Sequence, residues 1–135
     1  MSASTLPTEL TVLALAALMQ VVQYILMAIP VNLQLGPRYT GGSRDEQRLP
    51  SGMAGRLFRA LNNHFEALIL FTIAAIVVTL AEASTPFTQG CAWVYLIARV
   101  LYVPAYVSGV FLLRSLIWSV GFVATVLMLL AVLMT

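Results

Sequence analysis

The sequence predicts an all-α integral membrane protein, a single domain of residues 1–135 built as a bundle of four membrane-spanning helices. Three observations carry this. First, 61% of the 135 residues are hydrophobic and only 9% are charged, whereas soluble domains carry about 25% charged residues. So few charges cannot cover a water-facing surface. Second, four apolar runs approach or exceed the roughly 20 residues that a transmembrane helix needs. Third, those runs lack a period of two, which excludes a β-barrel. The length leaves no room beside the spans for a soluble catalytic domain, so any chemistry must sit on the helices or on the one long loop.

The first span is expected over about residues 10–29, with Thr11, Gln20, Gln23 and Tyr24 as its polar interruptions and Pro30 at its end. The first charged residue is Glu9, so no basic segment precedes the apolar run and a retained span is expected rather than a cleaved signal. Residues 31–55 read as a loop, punctuated by Gly36-Pro37, Gly41-Gly42, Pro50 and Gly52. The second span is expected over 57–81, its helical pattern starting at Arg56. Ser84-Thr85-Pro86 is a turn, and the third and fourth spans are expected over 91–113 and 116–134. Cys91 is the only cysteine. It has no disulfide partner and no metal-ligand spacing, and no metal site is expected.

The net charge is +2, and every basic residue is an arginine. Arg38, Arg44, Arg48 and Arg56 lie in or beside the first loop, Arg59 lies just inside the second helix, and Arg114 lies in the third-to-fourth connection. Four spans put these two connections on one side, while the other side has Glu9 and Glu82 and no basic residue. Positive residues concentrate on the cytoplasmic face. The first loop is therefore expected to be cytoplasmic and both termini to lie opposite. A bacterial inner membrane is the expected location, the chain being compact and without a sorting tail.

Ionisable residues at membrane depth are costly and usually functional. Arg56, Arg59, Asn63 and Glu66 are spaced 3, 4 and 3 apart, within an arc of about 80° on the second helix. Asn62 borders this stripe and His64 points elsewhere, as a packed or interfacial residue. Snorkelling to the headgroups accounts for Arg56, but not for Glu66, which lies about 15 Å further along the helix. On the third helix Tyr95, Arg99, Tyr102 and Tyr106 fall within an arc of about 60°. An unpaired guanidinium at the depth of Arg99 is very unfavourable, and Glu66 is the only acid at comparable depth. An Arg99–Glu66 pair is expected, within or between subunits. Two readings stay open for Arg99 and Tyr95: structural glue between helices, or direct contact with a ligand. Pro104 interrupts the same helix, either opening backbone groups or making a tolerated kink. Two readings also fit Arg114, Ser115 and Trp118. They are an interfacial anchor, or a site where the arginine stabilises a thiolate and the serine hydrogen-bonds the same sulfur.

The run Arg59-Ala60-Leu61-Asn62-Asn63-His64-Phe65-Glu66 resembles the R-A-x-x-N-x-x-E signature of the membrane-associated proteins in eicosanoid and glutathione metabolism. Ala98-Arg99, Tyr102, Tyr106 and Arg114-Ser115 resemble that family's later pattern, and the resemblance covers essentially the whole chain. It implies a homotrimer of four-helix subunits with glutathione bound between neighbours on the cytoplasmic side. By resemblance to the family's glutathione transferases, leukotriene-C-type synthases and microsomal prostaglandin E synthase, Arg59, Asn63, Glu66, Tyr102, Tyr106 and Arg114 would contact or organise glutathione. Arg38 would match a first-loop arginine that reaches the tripeptide. Arg99, Asn62 and Trp118 join the candidate binding set, Arg114 would activate the thiolate and Ser115 would assist. The sequence departs from the family pattern at Leu61, where a polar His or Gln is frequent. It departs again at Asn62, where the prostaglandin enzyme has arginine, and at Trp118, often tyrosine.

The chemistry of the residues agrees with this. Arginines clamp carboxylates bidentately, and Glu66 can hold the γ-glutamyl amine or order Arg99. The expected activity is a glutathione transferase or peroxidase acting on lipophilic electrophiles that arrive from the lipid. Glutathione is the co-substrate, membrane lipid surrounds the protein, and no nucleic acid is expected as a partner. The alternative is a non-catalytic lipid-binding or scaffold trimer of the same family.

Overall fold

The computed structural model describes residues 6–43 and 48–135. Arg44, Asp45 and Glu46 lie outside the described residues. Every regular element among the described residues is a helix, in the order α1 (Thr8–Leu35), α2 (Pro37–Thr40), α3 (Gly52–Leu80), α4 (Pro86–Ser108) and α5 (Phe111–Leu133). All but the single turn α2 are long and apolar enough to cross a membrane. The protein is therefore an integral, multi-pass membrane protein folded as a four-helix bundle.

Several helix boundaries differ from expectation, and at three of them the local reason is plain. The first helix does not stop at Pro30 but continues to Leu35. Inside a membrane bundle a proline interrupts the hydrogen-bond ladder without ending the helix. The actual stop is Gly36, at φ 91°, followed by Pro37. At 28 residues, α1 is about 42 Å long. That exceeds the roughly 30 Å hydrocarbon core, so its ends project into the headgroup layers. Part of the expected loop is thus helix, at the end of α1, in α2 and in the first turn of α3.

The third transmembrane helix starts at Pro86, five residues before the expected position. Thr85 and Thr88 form a reciprocal capping box, and Pro86 occupies the first turn, where its missing N–H costs nothing. The same helix ends at Ser108, because Gly109 adopts a left-handed conformation at φ 79°. Apolar residues flank that glycine on both sides, so hydropathy reads straight through the turn. The consequence reaches the site: Arg114 does not lie in a connection but in the first turn of α5, where its N–H donates to the Val110 carbonyl at 3.2 Å.

α1 packs along α3, α4 packs along α5, and α3 also touches α4 and α5. The core uses small residues to bring the backbones close, as membrane helices commonly do. Ala16, Ala74, Ala75, Ala92 and Ala124 are buried around Val12, Phe71, Tyr95 and Met128. At the α4–α5 crossing a Cβ on Gly121 would stand 3.4 Å from the Ala98 methyl. Glu9 is fully buried at the start of α1. Its carboxylate accepts hydrogen bonds from Ser84 Oγ at 2.7 and 2.9 Å and from Thr88 Oγ1 at 3.2 Å, tying α1 to the cap of α4.

Candidate functional site

The two polar stripes expected on the second and third spans face each other across the α3–α4 contact, running antiparallel. At one end Arg56 Nη1 donates to the Val107 carbonyl at 2.8 Å, which satisfies one of the orphan carbonyls at the end of α4. One turn along α3, Arg59 Nε donates to the Tyr106 hydroxyl at 3.0 Å. Next, Arg99 Nη1 donates to Asn63 Oδ1 at 2.8 Å. Beyond that the contact turns apolar, with Phe71 and Tyr95 stacked at 4.0 Å between ring centroids. The helical spacings of 3 and 4 on each helix place the partners in register.

Two tyrosine rings of α4 lie between a cation of α4 and a cation of α5. The Arg99 guanidinium lies 4.4 Å from the Tyr102 ring centroid, Tyr102 is tilted against Tyr106 at 5.7 Å, and Arg114 lies 4.7 Å over Tyr106. A guanidinium over an aromatic face is attracted by the ring quadrupole. Tyr106 thus stands between Arg59 on α3 and Arg114 on α5 and orients both.

These residues border a pocket of about 480 Å³ lined by Asn63, Tyr102, Tyr106, Arg114, Ser115 and Trp118, with Ser119 one turn beyond Ser115. Six of the residues singled out from the sequence therefore share one concavity, and Arg59 joins it through Tyr106. A separate, more enclosed cavity of about 120 Å³ lies between α3, α4 and α5, with Glu66, Tyr95, Arg99, Trp118 and Thr125 among its walls. Trp118 borders both spaces and stacks on Phe122 at 5.0 Å.

The structure corrects the expected Arg99–Glu66 pair as an arrangement within the subunit. Arg99, 2% exposed, takes Asn63 as its partner, and among the described residues no ion pair joins it to Glu66. Glu66 borders the same cavity but faces outward and is exposed. One turn back on α3, Asn63 reaches the guanidinium from the buried side.

Two expected residues lie elsewhere. Asn62 lines a different pocket of about 690 Å³, between α1, α2 and α3, together with Tyr39, Arg48 and Phe58. Arg38 is exposed on α2. Tyr39 was not expected at a site, and Arg48 was expected only as one of the loop's basic residues. Tyr39 holds the second half of the loop: its hydroxyl accepts from the Arg48 N–H at 2.7 Å, and the Arg48 guanidinium lies 5.1 Å over its ring. Nor was Arg56 expected to cap α4, which depends on where α4 ends. His64 is fully buried, with Nε2 3.1 Å from the Ala16 carbonyl, a packed position in the α1–α3 contact. Among the described residues no three His, Cys, Asp or Glu side chains are gathered as a metal site would require.

The bundle and the site together define a multi-pass helical membrane protein with an arginine- and tyrosine-lined pocket where three of its helices meet. The chain belongs to the MAPEG family, the membrane-associated proteins in eicosanoid and glutathione metabolism, whose family model matches residues 12–134. No curated protein and no solved structure matches the chain.

Proposed function

We propose that this protein is a glutathione transferase that conjugates lipophilic electrophiles at the membrane surface. The observation that carries this reading is the single pocket of Asn63, Tyr102, Tyr106, Arg114, Ser115 and Trp118. Its volume suits a small molecule of several polar groups. Arg59 lies at its edge as a clamp for a carboxylate of the tripeptide, and Glu66, exposed one turn past Asn63, is free to take the γ-glutamyl amine. Arg114 supplies the permanent positive charge that stabilises a thiolate, and Ser115 adds a hydrogen bond to the sulfur.

A free thiol has a pKa near 8.5, so only a few per cent is thiolate at neutral pH. The thiolate is the nucleophile, so a cation beside the sulfur raises the reactive fraction directly. Its attack on an electrophilic carbon forms the S–C bond and releases a leaving group or shifts a π pair. Substrates dissolved in lipid reach the pocket past the exposed faces of Trp118 and Phe122.

The proposed assembly is a homotrimer. Arg59 and Glu66 are exposed on a membrane helix, which is unfavourable unless another subunit covers them. Asn62 and Arg38, facing away from the pocket of their own subunit, are then placed to meet a neighbour's glutathione. The proposed orientation puts the pocket on the cytoplasmic side, with the arginines of α2, α3 and the start of α5.

Calorimetric titration with glutathione, the ultraviolet difference absorbance of bound thiolate, and turnover of lipophilic electrophiles test the activity. Absence of glutathione binding by the intact protein in lipid discs overturns it. Native mass spectrometry from several mild detergents tests the assembly, and monomers in all of them overturn the trimer. One observation favours the non-catalytic alternative, a lipid-binding trimer. An apolar groove of about 660 Å³ lies between α4 and α5, with Phe87, Cys91, Val94, Val120 and Val123 among its walls. Glutathione binding without turnover of any electrophile would select that reading.

A further inference from the structure

The smaller cavity beyond Trp118 is bordered by hydrogen-bond donors that the thiolate chemistry does not use. Arg99 and Tyr95 both border it, and they are 2% and 1% exposed. Among the described residues, Arg99 Nε and Nη2 and the Tyr95 hydroxyl find no hydrogen-bond partner. Buried donors without partners are costly, and the Arg99 guanidinium has only the neutral Asn63 amide and the Tyr102 ring face to offset its burial. Preorganised donors of this kind are worth most where negative charge develops during a reaction.

The remaining walls are Ala67, Leu70, Gly121, Phe122 and Trp118, together with Thr125, whose hydroxyl donates to the Gly121 carbonyl at 3.0 Å, and the carboxylate-bearing Glu66. At about 120 Å³ the cavity has the room of about four water molecules, enough for the carbonyl end of a small polar head group. Phe122 and Trp118, 43% and 37% exposed, flank its route to the lipid, where an alkyl tail can remain. The thiolate site at Arg114 and Ser115 lies on the other side of Trp118. Attack and charge development are therefore separated in space, which suits an acceptor whose electrophilic carbon and charge-bearing oxygen are separated by conjugation.

We infer that this cavity is the acceptor subsite for long-chain α,β-unsaturated carbonyl compounds, with Arg99 and Tyr95 as catalytic residues that bind the carbonyl oxygen. The inference rests on the glutathione reading above, under which Glu66 is engaged by the tripeptide amine and Arg99 is left to the acceptor. The thiolate sulfur bonds to the β-carbon and the carbon–carbon π pair shifts toward the carbonyl. The carbonyl π pair moves onto oxygen, and that enolate oxygen accepts hydrogen bonds from Arg99 and Tyr95. The α-carbon then takes a proton from water, replacing the one lost when the thiol ionised, and the product is a saturated carbonyl thioether.

The test compares two substrates of equal chain length, a 2-enal and a 1-iodoalkane, in wild type and Tyr95→Phe. The variant keeps the ring that stacks on Phe71 and removes only the hydroxyl. The rate with the enal is expected to fall about tenfold or more. The rate with the iodoalkane, whose leaving iodide is a weak acceptor, stays unchanged, as do glutathione affinity and thiolate absorbance. Equal slowing of both substrates, or an unchanged enal rate, overturns the inference while leaving the glutathione reading intact. A binding arm needs no turnover: Trp118 fluorescence in a Trp93→Phe background, titrated with a saturated long-chain ketone. Ketone binding weakened by Tyr95→Phe supports the subsite even if wild type conjugates neither substrate, and ketone binding indifferent to that change overturns it.

Discussion

Arg99 donates a 2.8 Å hydrogen bond to Asn63, on the neighbouring helix, and not to the only acid at its depth. A buried guanidinium with a neutral partner keeps its full charge available to whatever enters the adjoining cavity. An ion pair with Glu66 would have cancelled that charge. The same contact fixes α4 against α3, so one hydrogen bond serves both the bundle and the site.

Removing that partner should therefore be felt in stability first. Asn63→Leu is expected to destabilise the protein by about 1.5–3 kcal/mol, the range for a hydrogen bond to a charged group. Adding Arg99→Leu should recover part of the loss, because the stranded charge is gone. Thermal unfolding of the two single variants and the double variant in mild detergent measures the coupling. Additive losses would mean that Arg99 is held by something else.

The Arg56–Val107 contact predicts a second stability effect, at the α4–α5 turn. Arg56→Ala leaves a helix-terminal carbonyl without its charged donor, again a loss of about 1.5–3 kcal/mol. Gly109→Ala places a side chain at φ 79° and 3.3 Å from the Arg56 guanidinium. The left-handed strain alone costs about 1–2 kcal/mol. Both variants should melt earlier than wild type, and Gly109→Ala should also lower turnover, since the turn sets the position of Arg114. A wild-type melting temperature in both would remove the turn from the argument.

Arg114→Ala should lower turnover far more than glutathione affinity, with a smaller effect from Ser115→Ala. The sign with pH follows from the charge. A cation beside the sulfur favours the thiolate, so the bound thiol ionises below the ordinary value of about 8.5. Activity then persists at lower pH than it would otherwise. Without Arg114 the rising limb of the rate–pH profile moves to higher pH, and the thiolate absorbance at fixed pH falls. A variant that keeps both its absorbance and its rate assigns Arg114 to anchoring alone.

Orientation is testable by labelling single cysteines in a Cys91→Ser background with an impermeant reagent in intact cells. Ser43 is exposed in the first connection and Glu82 in the second. Position 82 should label and position 43 should not, and the opposite pattern inverts the proposed topology.

The sequence by itself determined the membrane class, the four-helix architecture and the polar stripes of α3 and α4. Each is a property of one helix at a time. A shortage of charges, an apolar run or a 3-4-3 spacing is present in the chain before anything packs. What sequence could not resolve was which partner each stripe residue takes. Asn63 and Glu66 sit one turn apart on the same face, and only the rotation of α3 against α4 decides that Arg99 meets the amide. Helix ends were not legible from hydropathy even where a local signal marked them, as at the Thr85 cap and at Gly109. Hydropathy continued through Gly109 because a single left-handed residue does not alter the mean of an apolar window, and Pro30 was overridden because packing and the lipid environment sustain the helix around it. The placement of Arg114 and the cap supplied by Arg56 depend on those ends. So does the separation of Asn62 from the pocket its sequence neighbour lines, because adjacent residues on a helix point about 100° apart and only the packing of α1, α4 and α5 determines what each direction faces.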